Sequence, residues 1–167
     1  MAVLHMMIGI PASGKTTKAL HMLKFKKEQG TTIVRVSNDA VGKLMTGQAF
    51  CKGTSGFMLA SVELFVRYLL SQDISVIIDN TAVTKQSRSK WFALAKEMGV
   101  TVKGYYANTD INTCLKQNMQ RDAVVPEDVI KSMHKKLQKP TMKEPFTKLF
   151  TRLTKTKAGT LKWMVND

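Results

Sequence analysis

Near the amino terminus, an apolar segment runs directly into a glycine-rich loop and then into a helix-like segment. Residues 3–8 are mostly apolar and stop at Gly9, as expected of a buried strand that enters a turn. The loop from Gly9 to Thr16, GIPASGKT, matches the pattern G-x-x-x-x-G-K-[ST] at every fixed position. In such a loop, backbone N–H groups and the helix N-terminus hold phosphate oxygens. The sequence therefore predicts a strand-loop-helix unit that binds the phosphates of a nucleotide.

The residue types of this loop suit ATP and Mg²⁺. We expect Lys15 to contact the β and γ phosphates and Thr16 to supply a hydroxyl to Mg²⁺. The predicted nucleotide-binding residues are Gly9, Ala12, Ser13, Gly14, Lys15, Thr16, Thr17 and the more distant Arg121. A glycine-rich turn without a nucleotide is the alternative, and the strand and helix on either side argue against it.

Strand-like and helix-like segments alternate along the rest of the chain. Predicted strands cover 3–8, 32–36, 75–78 and 101–107, and predicted helices cover 17–29, 57–70, 87–99, 110–121 and 126–136. Together with the phosphate loop, this order indicates an α/β, three-layer P-loop fold with a parallel sheet and helices on both faces. Segments 148–153 and Leu161–Val165 predict a small, basic C-terminal β-hairpin. We expect a single domain over residues 1–167, with a lid segment at about 110–126.

Two acidic residues follow predicted strands and so reach the same edge of the sheet as the phosphate loop. Asp79 comes directly after the apolar run 76–78, where a carboxylate can hold Mg²⁺ through water or orient Thr16. Asp39 follows the second strand and can accept the proton of an attacking hydroxyl. The structural alternatives are a helix cap or turn former at Asp39 and a cap for the next segment at Asp79.

A cation from outside the loop is expected to close over the transferring phosphoryl group, because negative charge spreads over that group during transfer. Arg121 is the candidate, since we predict it at the end of the helix that Asp110 caps. The predicted catalytic residues are therefore Lys15, Asp39 and Arg121. The alternative role of Arg121 is to bind the last carbonyls of that helix.

The charge of the chain points to a polyanionic partner. Lys and Arg total 26 against 12 Asp and Glu, which gives a formal net charge of +14. From Lys131 to Lys162 the sequence has ten Lys and Arg, and Glu144 is its one acid. We expect this basic segment to bind nucleic acid, and the alternative is a solvated basic face.

Cysteine usage and hydropathy bound the environment of the protein. Cys51 and Cys114 are far apart and fit neither a disulfide framework nor the spacing of a zinc site. No apolar stretch approaches membrane-spanning length, and no signal-peptide pattern precedes the loop. The expectation is an untargeted protein of a reducing cytoplasm, that of the host cell if a phage encodes it.

Four ordered segments of the chain share their pattern with one known family. They are GIPASGKTT, VRVSNDAVGKLM, VIIDNTAVTKQSRSKWFALAKEMG and CLKQNMQRDAVVPEDVIKSMHKKL. Together they resemble the kinase module of bacteriophage-type polynucleotide 5′-hydroxyl kinases, over residues 6 to about 146. These kinases are themselves similar to adenylate-kinase-like P-loop enzymes, so the resemblance implies an adenylate-kinase-like fold. The resemblance implies a catalytic aspartate at Asp39, a strand-terminal acid at Asp79 and a lid arginine at Arg121. It also implies transfer of the γ-phosphate of ATP to 5′-hydroxyl ends of DNA or RNA, which reach Asp39 through a tunnel.

The segment around Asp39 departs from the pattern R-D-D-x-R that is usual in this family. The chain has Asn38, Ala40 and Gly42 where the pattern has arginine, aspartate and arginine. The resemblance implies that the second arginine contacts the acceptor's phosphate, so we expect Lys43 or Lys52 to replace it. The chain ends without room for the phosphatase domain of many relatives, so no 3′-end repair activity is expected.

Two other functions remain open at this point. A kinase of a nucleoside, nucleotide or other small metabolite would use the same scaffold and base. A nucleotide-gated protein would use its basic tail on nucleic acid and perform little chemistry. The net charge of +14 favours a nucleic-acid acceptor over a metabolite. The combination of Asp39, Asp79 and Arg121 favours a catalyst over a binding protein.

Overall fold

A six-stranded sheet forms the centre of the computed structural model, which describes residues 1–48, 53, 55–155 and 161–165, with side chains except at 55, 152–155 and 161–165. The strands are β1 (Val3–Ile8), β2 (Ile33–Val36), β3 (Ser75–Ile78), β4 (Thr101–Tyr106), β5 (Lys148–Lys155) and β6 (Leu161–Val165). Their order across the sheet is β2-β3-β1-β4-β5-β6. Strands β1 to β5 run parallel, and β6 runs antiparallel to β5.

Helices cover both faces of this sheet. They are α1 (Lys15–Glu28), α2 (Asn38–Thr46), α3 (Ser55–Ser71), α4 (Lys85–Glu97), α5 (Ile111–Asn118) and α6 (Glu127–Lys136). On one face, Ala19, Met22 and Leu23 of α1 pack on β1, β3 and β4 side chains. On the other face, α3 and α4 cover the larger core. This arrangement confirms the predicted three-layer α/β fold, and no helix of the described ranges is long and apolar enough to cross a membrane.

The local sequence explains most of these elements. Strands β1 and β3 are buried on both faces, which is why they are nearly continuous apolar runs. Helix α3 buries Met58, Val62, Val66 and Leu70, which recur every four residues on one face. Thr84 and Ser87 form a reciprocal capping box that starts α4.

Strand β1 lies at the point where the order of the strands reverses. Its neighbours are β3 on one side and β4 on the other, and ligands of such sheets bind beyond the carboxyl ends of the strands at this switch point. Backbone hydrogen bonds continue the ladder past the strand ends, from Gly9 N–H to Thr81 O at 2.9 Å and from Asp79 N–H to Val36 O at 2.9 Å. The phosphate loop and Asp79 therefore share one edge.

The structure corrects the predicted end of the helix that begins after Asp110. Asp110 does cap α5, because its carboxylate accepts a hydrogen bond from Thr113 N–H at 2.9 Å. The helix ends at Asn118, so the prediction that Arg121 lies at its end is wrong. Asn118 is buried and its side chain exchanges two hydrogen bonds with the backbone of Val125, which closes the following loop. Arg121 lies in that loop.

Two further features were not foreseen. Helix α2 begins directly after Ser37, whose hydroxyl accepts a hydrogen bond from Ala40 N–H at 3.1 Å. It was missed because it is short and contains Gly42, a poor helix former. The predicted C-terminal hairpin is confirmed as β5 and β6, but β5 also pairs in parallel with β4 and so extends the central sheet.

Candidate active site

The phosphate loop depends on residues with left-handed backbone conformations. Gly9 has a φ of 148°, and a Cβ built there would lie 2.7 Å from Ser13 Oγ and 3.1 Å from Ala107 O. Only glycine fits this close approach. Ala12 and Gly14 also have positive φ values, 59° and 84°. The loop therefore turns sharply between β1 and α1, as phosphate binding through backbone N–H groups requires.

The N-terminus of α1 is open toward this loop. Its capping residue is Gly14, which has no side chain to satisfy the first N–H groups, and its first turn contains no acid. Thr16 and Thr17 of that turn are exposed. Unsatisfied N–H groups and the partial positive charge of a helix start favour an anion at this position.

Lys15 is buried at the base of the loop. Its Nζ donates a hydrogen bond to Ile10 O at 2.6 Å and approaches Ser13 Oγ at 3.5 Å. Thr109 supports the same loop, because its hydroxyl donates to Ser13 O at 2.9 Å. Both anchors hold the loop in its curved form, and Thr109 had no motif that would single it out in the sequence.

Four of the predicted and neighbouring residues act on the charge of Lys15. Burial lowers the pKa of Lys15 to about 8. The charges of Asp79, Cys114 and Asp39 oppose this effect, and the charge of Arg121 reinforces it. The structure thus brings Lys15, Asp79, Asp39 and Arg121 into one electrostatic neighbourhood, although they come from four separate segments.

Asp79 is held in place by an arginine that the sequence analysis did not identify. Its side chain is 1% exposed, and Oδ2 accepts a hydrogen bond from Nε of Arg35 at 2.8 Å and forms an ion pair with Nη2 of the same residue at 2.8 Å. Oδ1 is buried and has no hydrogen-bond partner among the described residues. Asp79 is not the cap of the next helix, because Thr84 caps α4. The one available signal for Arg35 was a lone charge within the apolar strand IVRV.

Asp39 occupies the second position of α2 and is exposed. Ser37 is the residue that caps this helix, so the alternative role of Asp39 as a cap is wrong. Two hydrogen bonds join the start of α2 to the end of β3, from Asn38 N–H to Asn80 Oδ1 at 2.9 Å and from Asn80 Nδ2 to Asn38 Oδ1 at 3.2 Å. This asparagine pair fixes Asp39 relative to Asp79.

Lys43 and Lys52 are the predicted replacements for the second arginine of the family pattern, and the structure describes only the first of them. Lys43 lies one helical turn after Asp39 on α2 and is exposed, so the two side chains share a helix face. Lys52 lies outside the described residues. Gly42 is buried, so it lies on the packed side of α2 and not on its exposed side.

Arg121 lies on the surface loop between α5 and α6. The loop is closed at its base by the Asn118 and Val125 hydrogen bonds, and Arg121 N–H donates to Asn118 O at 3.2 Å. The Arg121 side chain is exposed. Its charge nevertheless contributes to the lowered pKa of Lys15, so Arg121 lies within electrostatic range of the phosphate loop.

In the described part of the basic segment that begins at Lys131, few positive charges are paired with an acid. Its one acid, Glu144, is committed to Arg88 through hydrogen bonds of 2.7 and 2.9 Å. Lys135, Lys136, Lys139, Lys143 and Lys148 are exposed. Lys131 pairs with Glu127 at 2.6 Å. Lys157 lies outside the described residues.

The residues at this edge are suited to Mg²⁺. The described residues contain no cluster of three or more His, Cys, Asp or Glu side chains, and Mg²⁺ in kinases is usually held by one or two protein ligands together with phosphates and water. The unpartnered, buried Oδ1 of Asp79 and the exposed hydroxyl of Thr16 are oxygen ligands of the required type. Cys114 is buried in the adjoining apolar cluster.

The parallel sheet, its strand-end loop and the open start of α1 define a P-loop protein with the kinase-like fold. Residues 4–140 match the model of a protein family that is described as an AAA domain. That match covers most of the chain, and the chain belongs to this family. P-loop kinases use ATP.

Two curated relatives align with most of the chain. The L-seryl-tRNA(Sec) kinase of Methanococcus maripaludis is 25% identical over 141 residues, which cover 84% of this chain and 54% of the relative. The bifunctional polynucleotide phosphatase/kinase of Schizosaccharomyces pombe is 26% identical over 146 residues, which cover 84% of this chain and 31% of the relative. The chain thus spans about half and about a third of their lengths.

A solved structure with the same fold contains a nucleotide analogue. Kti12 of Chaetomium thermophilum, in complex with ADP-AlF3, superposes with a TM-score of 0.73 over 93% of this chain and 92% of its own. The two sequences are 17% identical, so this likeness describes the fold alone.

Proposed function

We propose that the protein is an ATP-dependent kinase that transfers the γ-phosphate to the 5′-hydroxyl end of DNA or RNA. The observation that carries this proposal is that the charges of Asp79, Asp39 and Arg121 act on Lys15 of the phosphate loop, with Asp79 and Asp39 following the carboxyl ends of β3 and β2. Phosphoryl transfer requires a cation on the phosphates, a carboxylate beside the metal ion, a base for the hydroxyl proton and a second cation that neutralises the transferring group. Lys15, Asp79, Asp39 and Arg121 would supply these in that order.

In the proposed reaction, the acceptor's hydroxyl oxygen forms a bond to the γ-phosphorus while the bond from that phosphorus to the β-bridging oxygen breaks. ADP leaves, and the hydroxyl proton passes to the carboxylate of Asp39. Lys15 and the N–H groups of the loop hold the β and γ oxygens. Arg121 neutralises the charge that develops on the transferring group.

Mg²⁺ belongs to this proposal as the ion that neutralises the nucleotide's phosphates. Thr16 and Asp79 would hold it, Asp79 through water. Asp39 stands apart from this group of ligands because it is exposed and begins α2. Its position suits a base that meets the acceptor rather than the metal.

Charge supports a nucleic-acid acceptor. The formal net charge is +14, and the described lysines of the C-terminal segment are mostly exposed while its acid is bound to Arg88. Both curated relatives carry names that refer to nucleic acid, one to polynucleotide and one to seryl-tRNA. A small metabolite would gain little from such a surface.

A second acceptor class is favoured by a specific feature of α2. Gly42 stands, buried, where the resemblance implies an acceptor-binding arginine, which weakens the match to a 5′-end. A hydroxyl carried elsewhere on RNA, as the name of the seryl-tRNA kinase records for that protein, or a hydroxyl on a small metabolite would meet the same base.

The experiment is a panel of acceptors offered with γ-labelled ATP and Mg²⁺. The panel contains a 5′-OH DNA oligomer, a 5′-OH RNA oligomer, the same oligomers with a 5′-phosphate, seryl-tRNA and a set of nucleosides and nucleotides. We expect label on the 5′-OH oligomers and none on the 5′-phosphorylated controls. Labelling confined to seryl-tRNA or to a metabolite would overturn the acceptor assignment and leave the kinase assignment standing.

A further inference from the structure

Arg35 contacts only one of the two carboxylate oxygens of Asp79. An arginine and a carboxylate commonly pair as two forks, with one N–H donor for each carboxylate oxygen. Here both donors, Nε and Nη2, lie 2.8 Å from the same oxygen, Oδ2 of Asp79. The second oxygen is thereby left out of the pair.

The Arg88 pair in the same protein shows the ordinary arrangement. Arg88 donates from Nε to Oε2 of Glu144 at 2.7 Å and from Nη2 to Oε1 at 2.9 Å. That arginine is fully buried, with 0% of its side chain exposed. The fold therefore accommodates a fork on both oxygens where the pair has a purely structural position between α4 and the segment before β5.

Oδ1 of Asp79 has no such partner. Among the described residues, it is the buried side-chain oxygen or nitrogen that has no hydrogen-bond partner. An unsatisfied buried acceptor costs about 1–3 kcal/mol, and native structures rarely keep one without a use. The Nζ of Lys15, the cation of the phosphate loop, donates to Ile10 O instead.

We propose that Arg35 is a positioning residue, which fixes Oδ2 of Asp79 and so reserves Oδ1 for a water molecule of nucleotide-bound Mg²⁺. Arg35 lies on β2, the edge strand, and reaches Asp79 at the end of the neighbouring strand β3. The register of this strand pair sets Arg35 opposite Ile77, two residues before Asp79. Its side chain is 22% exposed, so it closes the outer side of Asp79. The proposal rests on the nucleotide half of the proposed function and not on the acceptor.

The test measures Mg²⁺-dependent binding of a fluorescent ADP analogue, without any acceptor. Arg35→Gln, Asp79→Asn and the double variant are compared with wild type over a range of MgCl₂ concentrations. We expect each single change to raise the Mg²⁺ concentration for half-maximal binding by about 10- to 100-fold. The double variant should match the single variants, because both changes remove one shared interaction. Binding measured without Mg²⁺ should be unchanged.

Arg67→Gln is the matched control. Arg67 also puts Nε and Nη2 on a single carboxylate oxygen, Oε1 of Glu63, at 3.2 and 3.1 Å, and it pairs with Glu97, but these contacts lie on the surface side of α3, away from the phosphate loop. This variant should keep the wild-type Mg²⁺ dependence. Arg35→Lys serves if Arg35→Gln does not fold, because it keeps the charge and loses the fixed fork, and its midpoint should also rise.

An unchanged or lowered Mg²⁺ midpoint in the Arg35 variants would overturn the proposal. In that case the pair is structural, or Arg35 merely competes with the metal for the charge of Asp79. The result is independent of the acceptor panel. If the acceptor panel labels a metabolite but the Mg²⁺ midpoint of the Arg35 variants rises, this proposal stands and the acceptor assignment fails. If the panel labels a 5′-OH oligomer but the midpoint is unchanged, the proposed function stands and this proposal fails.

Discussion

The candidate residues that follow β3 and those that follow β2 lie in different surroundings. On the β3 side, Asp79 is 1% exposed and bound by Arg35, and Lys15 is buried against the loop. On the β2 side, Asp39 is exposed in the first turn of a short helix. The Asn38 and Asn80 pair joins the two sides. In the proposed function, the first would be a preformed nucleotide side and the second an open acceptor side.

This contrast has a physical basis. The triphosphate is the same in every turnover, so a rigid, desolvated set of partners stabilises it without reorganisation. An acceptor that is the end of a long polymer needs room at the surface instead. Variants that disrupt one of these sides, or the hydrogen bonds that connect the two, should therefore have different effects on turnover and on nucleotide affinity.

Lys15→Ala should have the largest effect, because it removes the cation of the preformed side. We expect turnover to fall by about 10³-fold or more, with the fold intact since Nζ contributes to no apolar packing. Labelling of an acceptor and a thermal melt measure the two quantities. Lys24→Ala is the control from the same helix, since Lys24 is exposed and pairs with Glu28. Wild-type turnover by folded Lys15→Ala protein would refute the site.

Arg121→Ala should lower turnover by about 10²-fold and change ADP affinity much less, because its charge is needed mainly in the transition state. The comparison of kcat with the ADP dissociation constant measures this. Lys116→Ala, an exposed cation on α5, should have no effect. A parallel collapse of nucleotide affinity would show that Arg121 belongs to the preformed side.

Asn80→Ala should lower kcat by about tenfold and leave ADP affinity near that of wild type. The change removes the hydrogen bonds that fix α2 to β3, and small displacements of a catalytic group cost rate. Asn112→Ala on α5 is an exposed control. Equal losses in kcat and ADP affinity would mean that the two sides are not separable.

Neutralising Lys148, Arg152, Lys155 and Lys157 together should have the smallest effect on chemistry. For a single strand, log affinity falls with log salt by roughly −0.7 per phosphate contacted, so three or four contacts give roughly −2 to −3. The quadruple variant should flatten that slope and raise KM for a long oligomer by a few-fold. A very short acceptor and the saturated rate should be unaffected. A wild-type slope would make this segment a solvated basic face.

The sequence predicted the elements whose signal is local. The bounds of β1 and β3 agree with the structure because buried parallel strands are uninterrupted apolar runs. The phosphate loop carries its own pattern. The capping role of Asp110 is a local effect as well, since it depends on Thr113 three residues later.

Features that depend on long-range contacts were not predictable in this way. The Arg35 and Asp79 pair joins residues 44 positions apart, and the pairing of β5 with β4 depends on register across the sheet. Helix α5 ends early because Asn118 turns to the backbone of Val125. The catalytic roles of Lys15, Asp39 and Arg121 stay predictions.

The most direct test is the single-turnover rate of Asp39→Asn on a 5′-OH oligomer, measured beside its affinity for ADP. This change keeps the shape of the side chain and removes the proton acceptor of the open side. We expect the rate to fall by about 10²- to 10⁴-fold with ADP affinity unchanged. A wild-type rate, or an effect confined to KM, would contradict the assignment of Asp39 as the base that receives the proton of the acceptor's hydroxyl.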